Sequence, residues 1–563
     1  IEGCKINFED DGLVFKNLSD NNTTIVTQLS GKPSDEGFNS KNYAVEACGN
    51  SEFLKNKIVD VDLNYNCSSS SNCSNNLALT NNGNTYQIGL SPQTFSLQFD
   101  TNSRAEFTLR YPDAGELSLS GTITDRAALT GSSNIFKVRP FGFAMDVLND
   151  AGTSFNPNGY AINPNGSLLK RTGENFVLGL RTVQWVDGED NNDDGISDNF
   201  ADLANNNTAE HYSGSVNLTP QQLLPVSGSA GSLSITSVNF EDEGKVNQAL
   251  NYDEVGIISI VAQGTYLTDS TVLGQLNNVG RFAPSNFSLT GNVVAACTTS
   301  NAFNYFGQPI SEVSFSLTAL NQNGSRTTNY YDGFDKLTSL GLQVEHDGNL
   351  LNRLENINSI GWPQSGATGQ IIFSDNDIAF SRLGSATLDG AYIDAAVVLV
   401  ADQAQIEGAN FNGLSCSGQC VDDFGDSISF AYGRATLINN YGAADEALLL
   451  PLRTQYWDGN NWRINKYDSC TAYDHDNVND ESGELVSSGE ESLSEGAYRN
   501  SDGIRLSSPN GAGNYPVSYT PDAWLLWDWD GDGEADNPPN ATLTYGVYRG
   551  NDNIIYKREQ INN

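Results

Sequence analysis

The stretches Phe95-Ser96-Leu97-Gln98-Phe99 and Phe107-Thr108-Leu109-Arg110-Tyr111 alternate apolar and polar residues, and this alternation decides the fold class. Successive side chains of a β-strand point to opposite faces, so every second residue lies on one buried face of an antiparallel sheet. The segment 445–452 is apolar but short, and Pro451 argues against a continuing helix. The same period of two recurs at Leu117 and Leu119, at Phe176, Leu178 and Leu180, and at Val313, Phe315 and Leu317.

Asn-Gly pairs interrupt the alternating runs. Such pairs supply the positive φ angles that tight β-hairpins need. The sequence therefore predicts an all-β protein of tandem immunoglobulin-like or jelly-roll-like β-sandwich domains with long loops. The pairs are Asn82-Gly83, Asn158-Gly159, Asn323-Gly324 and Asn412-Gly413.

A chain of 563 residues is too long for one hydrophobic core, so several domains are expected. Two linker-like segments resemble each other: Val138-Arg139-Pro140-Phe141 and Val279-Gly280-Arg281-Phe282, each followed by alternating apolar residues. They predict β-sandwich domains at 1–137, 138–281 and 282–428 and a β-rich C-terminal domain at 429–563. The second and fourth domains each carry an Asp-rich loop.

The charge balance is strongly acidic, with 69 Asp and Glu against 29 Lys and Arg, for a net charge of -40. This surface repels phosphates and anionic lipid headgroups, so nucleic-acid binding is not expected. It suits divalent cations, although adaptation to a salty habitat explains it equally well. No apolar run is long enough to span a bilayer, which predicts no direct membrane insertion. The start at Ile1, without Met, predicts a mature product or a fragment.

Eight cysteines match no zinc-ligand spacing and predict disulfides formed in an oxidising, extracellular compartment. Their pairing stays open. Two short loops are plausible, Cys67 with Cys73 and Cys416 with Cys420. The remaining pairs would then be Cys4 with Cys48 and Cys297 with Cys470.

Two Asp-rich loops share one template, with oxygen side chains at the first, third, fifth and ninth positions and Gly at the sixth. Calcium takes oxygen ligands from alternate residues of a loop that curls around the ion, and the carbonyl of the seventh residue adds a backbone ligand. An ordinary solvated turn is the alternative, because Asp, Asn and Gly are common turn residues. The predicted Ca²⁺ ligands are Asp190, Asn192, Asp194, Ile196 and Asp198, and Asp528, Asp530, Asp532, Glu534 and Asp536.

Local context favours calcium in both loops. Trp524, Trp527 and Trp529 crowd the second loop, where ionised aspartates are costly without a cation. Asp187 and Asp202 are additional candidates beside the first loop. Neither loop has the twelfth-position Glu of sensor sites, which predicts dissociation constants of about 10⁻⁴ to 10⁻³ M. A weaker third candidate comprises Asp474, Asp476, Asn479 and Asp480.

The sequence holds no catalytic motif, and we expect no enzyme. His211, His346 and His475 stand apart from any HExxH, GxSxG or phosphate-loop pattern. Paired carboxylates for glycoside hydrolysis could still be present among the acids, because their pairing is spatial. The aromatic residues Tyr456, Trp457 and Trp462 around a turn, and Tyr330-Tyr331, are either sugar-stacking groups or core pairs. Core pairs are favoured.

A set of C-terminal segments carries a family resemblance. They resemble the MshQ-like proteins encoded with the mannose-sensitive haemagglutinin type IV pilus of marine gammaproteobacteria, and in particular their uncharacterised C-terminal domain family. The resemblance is general over 138–563 and specific over 280–563. The segments are Val279–Phe282, Phe306–Pro309, Leu450–Leu452, Tyr456-Trp457, Trp462–Asn465, Asp468–Thr471, Gly546–Asp552 and Ile554–Tyr556.

The resemblance implies an exported, pilus-associated protein, often with a lectin-like domain upstream, and it implies no catalytic residues. Combined with the loops and cysteines, it predicts a structural or adhesive protein of the bacterial surface, stabilised by calcium and disulfides. The expected partners are pilus subunits or other surface proteins, and surface glycans are a further possibility. A calcium-dependent glycan-binding module is the alternative function, and a polysaccharide-active enzyme is a more remote one.

Overall fold

The computed structural model describes residues 12–20, 22–48, 51–68, 72–125, 129–241, 243–267, 270–298, 302–364, 369–497 and 503–546. Within these ranges the regular structure is almost entirely β-strand. Helix is limited to short 3₁₀ turns at Glu52–Leu54, Asp202–Asn205, His475–Asn477 and Ala523–Leu525. None of the helices in this part of the chain could cross a bilayer. The predicted all-β fold class is confirmed.

The chain divides into two compact units. The first comprises Ile1–Asn286, Ala319–Asp335 and Gln364–Gly369, and the second comprises Phe287–Thr318, Lys336–Pro363 and Gln370–Asn563.

The first unit begins with two facing sheets. One has the order β1-β3-β8-β5-β6, and the other has the order β2-β11-β9-β4-β7 with β10 paired to β9. The strands are β1 (Leu13–Asn17), β2 (Gln28–Leu29), β3 (Tyr43–Ala47), β4 (Ile58–Cys67), β5 (Leu77–Asn81), β6 (Asn84–Ile88), β7 (Gln93–Gln98), β8 (Arg104–Arg110), β9 (Gly115–Ile123), β10 (Thr130–Ser132) and β11 (Phe136–Arg139).

Alternation in the sequence builds the core between these two sheets. Leu97, Phe99, Phe107 and Leu109 are all buried, and they belong to one hydrophobic cluster. Phe95 is only partly buried and packs against that cluster. The apolar positions of the opening stretches therefore face the core as predicted.

A second pair of sheets follows in the same unit, with strand orders β12-β14-β17 and β13-β19-β18-β15-β16. The strands are β12 (Gly142–Leu148), β13 (Lys170–Arg171), β14 (Phe176–Val183), β15 (Ser213–Leu224), β16 (Ser237–Glu241), β17 (Lys245–Leu250), β18 (Gly256–Tyr266) and β19 (Ser270–Ala283).

The second unit contains sheets β26-β22-β20-β29 and β21-β31-β28-β23-β24, with β30 paired to β28, and the small pair β25-β27. The strands are β20 (Asn286–Val294), β21 (Phe303–Tyr305), β22 (Glu312–Leu320), β23 (Leu340–His346), β24 (Asn349–Leu351), β25 (Leu354–Glu355), β26 (Gln370–Asp375), β27 (Ala379–Phe380), β28 (Gly390–Asp402), β29 (Asn410–Phe411), β30 (Gln419–Asp423) and β31 (Ile428–Ala431).

The C-terminal part of this unit is built from shorter strands, in sheets β32-β35-β36, β33-β43-β42-β38, β34-β41-β39 and β37-β40. The strands are β32 (Gly433–Leu437), β33 (Asn440–Gly442), β34 (Leu448–Leu449), β35 (Leu452–Trp457), β36 (Trp462–Ile464), β37 (Ala472–Asp474), β38 (Val478–Asp480), β39 (Ser487–Ser488), β40 (Glu490–Ser492), β41 (Arg505–Leu506), β42 (Gly513–Tyr519) and β43 (Asn540–Tyr545).

One topological feature recurs four times along the chain. A short early strand pairs in parallel with the last strand of the same segment. The pairs are β2 with β11, β13 with β19, β21 with β31 and β33 with β43. Each segment is thus an Ig-like sandwich closed by the same kind of parallel pair. We call the four segments the first to fourth domains.

The Asn-Gly pairs behave in three ways. Both residues have positive φ at Asn82-Gly83 and Asn412-Gly413, whereas only the glycine does at Asn323-Gly324. Neither residue of Asn158-Gly159 has positive φ, so that prediction is wrong. There Pro157 presets a different turn, in which Gly159 donates to the carbonyl of Asn156 at 2.9 Å.

Disulfides join Cys67 to Cys73, Cys297 to Cys470 and Cys416 to Cys420, three of the four pairs suggested by the spacing. Cys48 is also disulfide-bonded. Cys4 lies outside the described residues, as do residues 547–556, which hold the last of the C-terminal motifs.

Candidate calcium loops

The loop at Asp528 lies between β42 and β43 of the fourth domain and curls around its own first residue. The Asp528 carboxylate accepts hydrogen bonds from the backbone N–H groups of Gly531 (2.7 Å) and Gly533 (3.1 Å). Asp532 accepts one from the backbone N–H of Glu534 at 2.8 Å. Gly533 has a φ of 95°, a backbone conformation that favours glycine.

Three carboxylates of this loop converge. Asp528, Asp530 and Asp532 each offer one oxygen atom, and these atoms lie within 4.8 Å of one another. Asp530 and Asp532 are exposed. Oxygen atoms in such a cluster repel one another unless a cation lies between them, and hard divalent cations prefer carboxylate oxygen. Asp536 does not belong to the convergent set found among the described residues.

Aromatic rings and an arginine surround the loop. The Arg434 guanidinium lies over the rings of Trp462 (4.1 Å) and Trp529 (4.9 Å), and burial lowers the pKa of Arg434 to about 10. Trp462 also meets Trp527 edge to face at 5.0 Å. Ala535 at the end of the loop donates its backbone N–H to Ser385 Oγ of the third domain at 2.8 Å. The loop is therefore anchored at a domain junction.

Two aromatic residues of the neighbouring hairpin form a half-buried pair across the two strands. Trp457 on β35 stands directly opposite Trp462 on β36, and their rings meet at 5.9 Å. Tyr330 and Tyr331 are buried, with 1% and 6% of their surfaces exposed. Trp529, by contrast, is 39% exposed.

The loop at Asp190 lies between β14 and β15 of the second domain and repeats two of these internal bonds, from the sixth residue to the first and from the seventh to the fifth. Asp190 accepts from the backbone N–H groups of Asp194 (3.0 Å) and Gly195 (3.0 Å). Asn192 Oδ1 accepts from Asp194 N–H at 3.1 Å, and Asp194 Oδ1 accepts from Ile196 N–H at 2.8 Å. The shared template thus produces similar turns in the two loops, although the first aspartate also accepts from the fifth residue here and from the fourth in the Asp528 loop.

Two other candidates around this loop, Asp198 and Asp202, accept hydrogen bonds from nearby asparagines. Asp198 accepts from the backbone N–H and side chain of Asn191 at 2.8 and 2.9 Å, and these bonds hold its pKa below the ordinary value. Asp202 accepts from the Asn199 side chain at 3.1 Å. Asp187 is exposed. Asp190 itself is only 6% exposed, and burial raises its pKa.

Two cations of the first domain lie beside the Asp190 loop. Arg139 donates from Nη2 to the Gly195 carbonyl at 2.8 Å; its pKa falls to about 10 through burial, although Asp190 and Asp194 oppose that shift. Burial also lowers the pKa of Lys32, and nearby acids including Asp190 act in the opposite direction. The acidic groups of the loop therefore act on the pKa of both cations.

The third, weaker candidate differs from its predicted composition. The group that converges is Asp474, His475 and Asp476, with the two imidazole nitrogens each 3.4 Å from one carboxylate. Asp480 instead accepts from the backbone N–H groups of Glu484 (2.9 Å) and Leu485 (2.8 Å). Asn479 lies on β38, opposite Ser518.

One constellation was not foreseen from the sequence. His211 Nε2 lies 2.8 Å from Ser74 Oγ and 3.8 Å from Asp113 Oδ2. A Ser-His-Asp relay needs the serine and the aspartate on opposite imidazole nitrogens, whereas both approach Nε2 here. The arrangement is therefore a polar contact between the first and second domains. The long sequence separation of these residues hides it from motif searches.

These sheets and loops define a protein of consecutive Ig-like β-sandwiches. Four models of one family match the chain in order, and together they cover almost all of it. They are DUF6701, first Ig-like domain (2–134), and its second (139–251), third (254–426) and fourth (431–560) domains. The chain belongs to this four-domain family of unknown function, DUF6701. The third model includes β18 and β19, which complete a sheet of the second domain.

Several solved bacterial surface proteins are similar over long stretches but at low TM-scores. Invasin, a bacterial integrin-binding protein, is 9% identical with a TM-score of 0.29, and covers 95% of this chain and 79% of that chain. A tetra-tandem repeat from the extending region of a large adhesion protein is 12% identical with a TM-score of 0.31, covering 95% and 98%. Such scores carry no argument about function. No curated protein sequence matches the chain.

Proposed function

We propose that this chain is the scaffold of an extracellular structural or adhesive protein of the bacterial surface, stabilised by disulfides and by calcium in its two Asp-rich loops. The disulfides and the Ig-like sandwiches are typical of exported proteins. The net charge of -40 favours divalent cations as ligands. Calcium would brace both domain junctions, because each loop contacts the preceding domain.

The convergence of the Asp528, Asp530 and Asp532 carboxylates is the observation that carries this proposal. Their oxygen atoms supply part of the six to eight that calcium takes, and water and a backbone carbonyl complete such sites. In the Asp190 loop, Asn192 and Asp194 would take the positions that Asp530 and Asp532 have in the other loop. Calcium would enter both loops as a structural ion.

Thermal unfolding with and without a chelator tests the proposal. Sites with dissociation constants of about 10⁻⁴ to 10⁻³ M each add about 1.4–2.7 kcal/mol of stability at about 10 mM calcium. We expect EDTA to lower the melting temperature, and calcium but not magnesium to restore it, because magnesium demands a tighter octahedral site. Melting that does not respond to EDTA would remove calcium from the account.

Association with a pilus rests on the resemblance to MshQ-like proteins and stays a prediction. Pilus subunits are the expected partners. Immunoblotting of sheared and purified pili against the remaining cell envelope tests it. Recovery of the protein only in the envelope fraction would restrict the proposal to a surface protein without pilus association.

Calcium-dependent glycan binding is the second candidate, and the exposed Trp529 indole beside the carboxylates favours it. Trp rings stack on sugars, and calcium in such loops can contact sugar hydroxyls. A glycan array with calcium and with EDTA separates this function from a purely structural role. For polysaccharide cleavage, the third candidate, the test is the release of new reducing ends.

A further inference from the structure

A polar cavity of about 320 Å³ lies in the first unit, beside the Asp190 loop. The first domain contributes one wall and the second domain the other. Its volume is at the lower end of the roughly 300–1,000 Å³ of small-molecule pockets. The lining residues are Thr27, Phe38, Asn39, Arg139, Asp194, Ile196, Ser270 and Thr271.

Arg139 is the most constrained group of this cavity, with 5% of its surface exposed. Its Nη1 donates to the Pro140 carbonyl at 3.1 Å and its Nη2 to the Gly195 carbonyl at 2.8 Å. The guanidinium lies over the Phe38 ring at 5.1 Å. These contacts fix the plane of a permanently charged donor, so a ligand would meet it without a further loss of side-chain entropy.

The second domain supplies the acceptors. Asp194 is exposed, and its two carboxylate oxygens accept one bond each, from the Ile196 N–H (2.8 Å) and the Asn192 side chain (3.1 Å). Each carboxylate oxygen has a further lone pair, so one oxygen can face calcium while the other accepts from a ligand hydroxyl. The hydroxyl group of Thr271 can donate or accept.

The chemistry of the lining selects the class of ligand. A fixed donor, a carboxylate acceptor and several hydroxyl groups complement vicinal hydroxyls, which donate and accept at once. The net charge of -40 repels anions. Most of the lining residues are polar, which disfavours lipids as ligands. Phe38 and Ile196 add the apolar contacts that sugar C–H groups need.

We propose that this cavity binds one neutral saccharide unit at the junction of the first and second domains. The inference deepens the adhesive part of the proposed function and rests on it. The occupant would lie against the Asp190 loop, because Asp194 and Ile196 belong to both. Its recognition would use side chains of two domains, so the orientation of those domains would set the affinity.

Saturation-transfer NMR on the full chain in calcium tests the site with three probes: methyl glucopyranoside, methyl galactopyranoside and glucuronate. We expect transfer to at least one neutral glycoside and none to glucuronate. Thr271→Arg should abolish the transfer by filling the cavity from one wall. Thr27→Arg should fill the cavity from the other wall and also abolish the transfer. It replaces the first variant if that variant fails to fold.

Asn277→Arg is the matched control, because Asn277 is exposed on the same strand and the same face as Thr271 but about 20 Å farther along. It should retain full transfer. Three results overturn the inference: no transfer from the wild-type chain, unchanged transfer in both cavity variants, or stronger transfer to glucuronate. Neither cavity variant alters a predicted calcium ligand, so the response of melting to EDTA still tests the proposed scaffold separately.

Discussion

The Asp190 and Asp528 loops have the same spacing and share two internal hydrogen bonds, yet they lie in different electrostatic surroundings. In both, the first aspartate accepts the N–H of the sixth residue, and the fifth accepts that of the seventh. Local sequence thus determines the conformation of the loop. Which groups neutralise the charge of the loop depends on the domain that the loop contacts.

The two loops differ in the positively charged side chains that lie near their aspartates. Arg139 and Lys32 interact electrostatically with the aspartates of the Asp190 loop. Arg434 instead lies over the indole rings beside the Asp528 loop. Asp190 is nearly buried, whereas Asp530 and Asp532 are exposed. We therefore expect the Asp528 loop to bind calcium more tightly and to depend on it more. The protein's own cations already hold part of the Asp190 loop in place.

The largest effect should follow the loss of Arg139. Removing Arg139 leaves the buried carbonyls of Pro140 and Gly195 without their charged donor, and two hydrogen bonds to a charged group contribute about 3–6 kcal/mol together. For Arg139→Met we expect a loss of this size. For Arg434→Met, which removes cation–π contacts, we expect only about 1–2 kcal/mol. Urea unfolding in EDTA measures both, and equal losses would mean that Arg139 has no special role at its loop.

The sixth-position glycines offer a finer comparison. Gly195 and Gly533 have φ angles of 79° and 95°, so alanine costs about 1–2 kcal/mol at either. A Cβ at Gly195 would also lie 2.5 Å from Arg139 Nη2 and 2.8 Å from Phe38, whereas one at Gly533 meets nothing within 4 Å. We expect Gly195→Ala to cost about 2–3 kcal/mol. Equal melting temperatures for the two alanine variants would contradict the close packing at Gly195.

The smallest difference should lie in calcium-dependent stability. Asp532→Asn and Asp194→Asn change the same loop position. We expect Asp532→Asn to remove about 1 kcal/mol more of the stabilisation by calcium, because Arg139 and Lys32 already offset the charge of the other loop. Unfolding of each variant with calcium and with EDTA gives this quantity. A larger loss in Asp194→Asn would reverse the assigned order of the two sites.

The sequence predicted the features that depend on residues close together along the chain. Alternation located the buried faces of β8 and β14, and the Asp spacing located two loops that form similar turns. It could not reveal contacts made across domains, such as Arg139 with Gly195 or His211 with Ser74. Asn158-Gly159 shows the limit of a local rule, because the preceding Pro157 selects another turn.

A crystal structure of the chain grown in millimolar calcium tests the central claim most directly. We predict an ion at the Asp528 loop, with oxygen atoms of Asp528, Asp530 and Asp532 at about 2.3–2.6 Å. Density at this position that refines as water, with longer contacts, would contradict it.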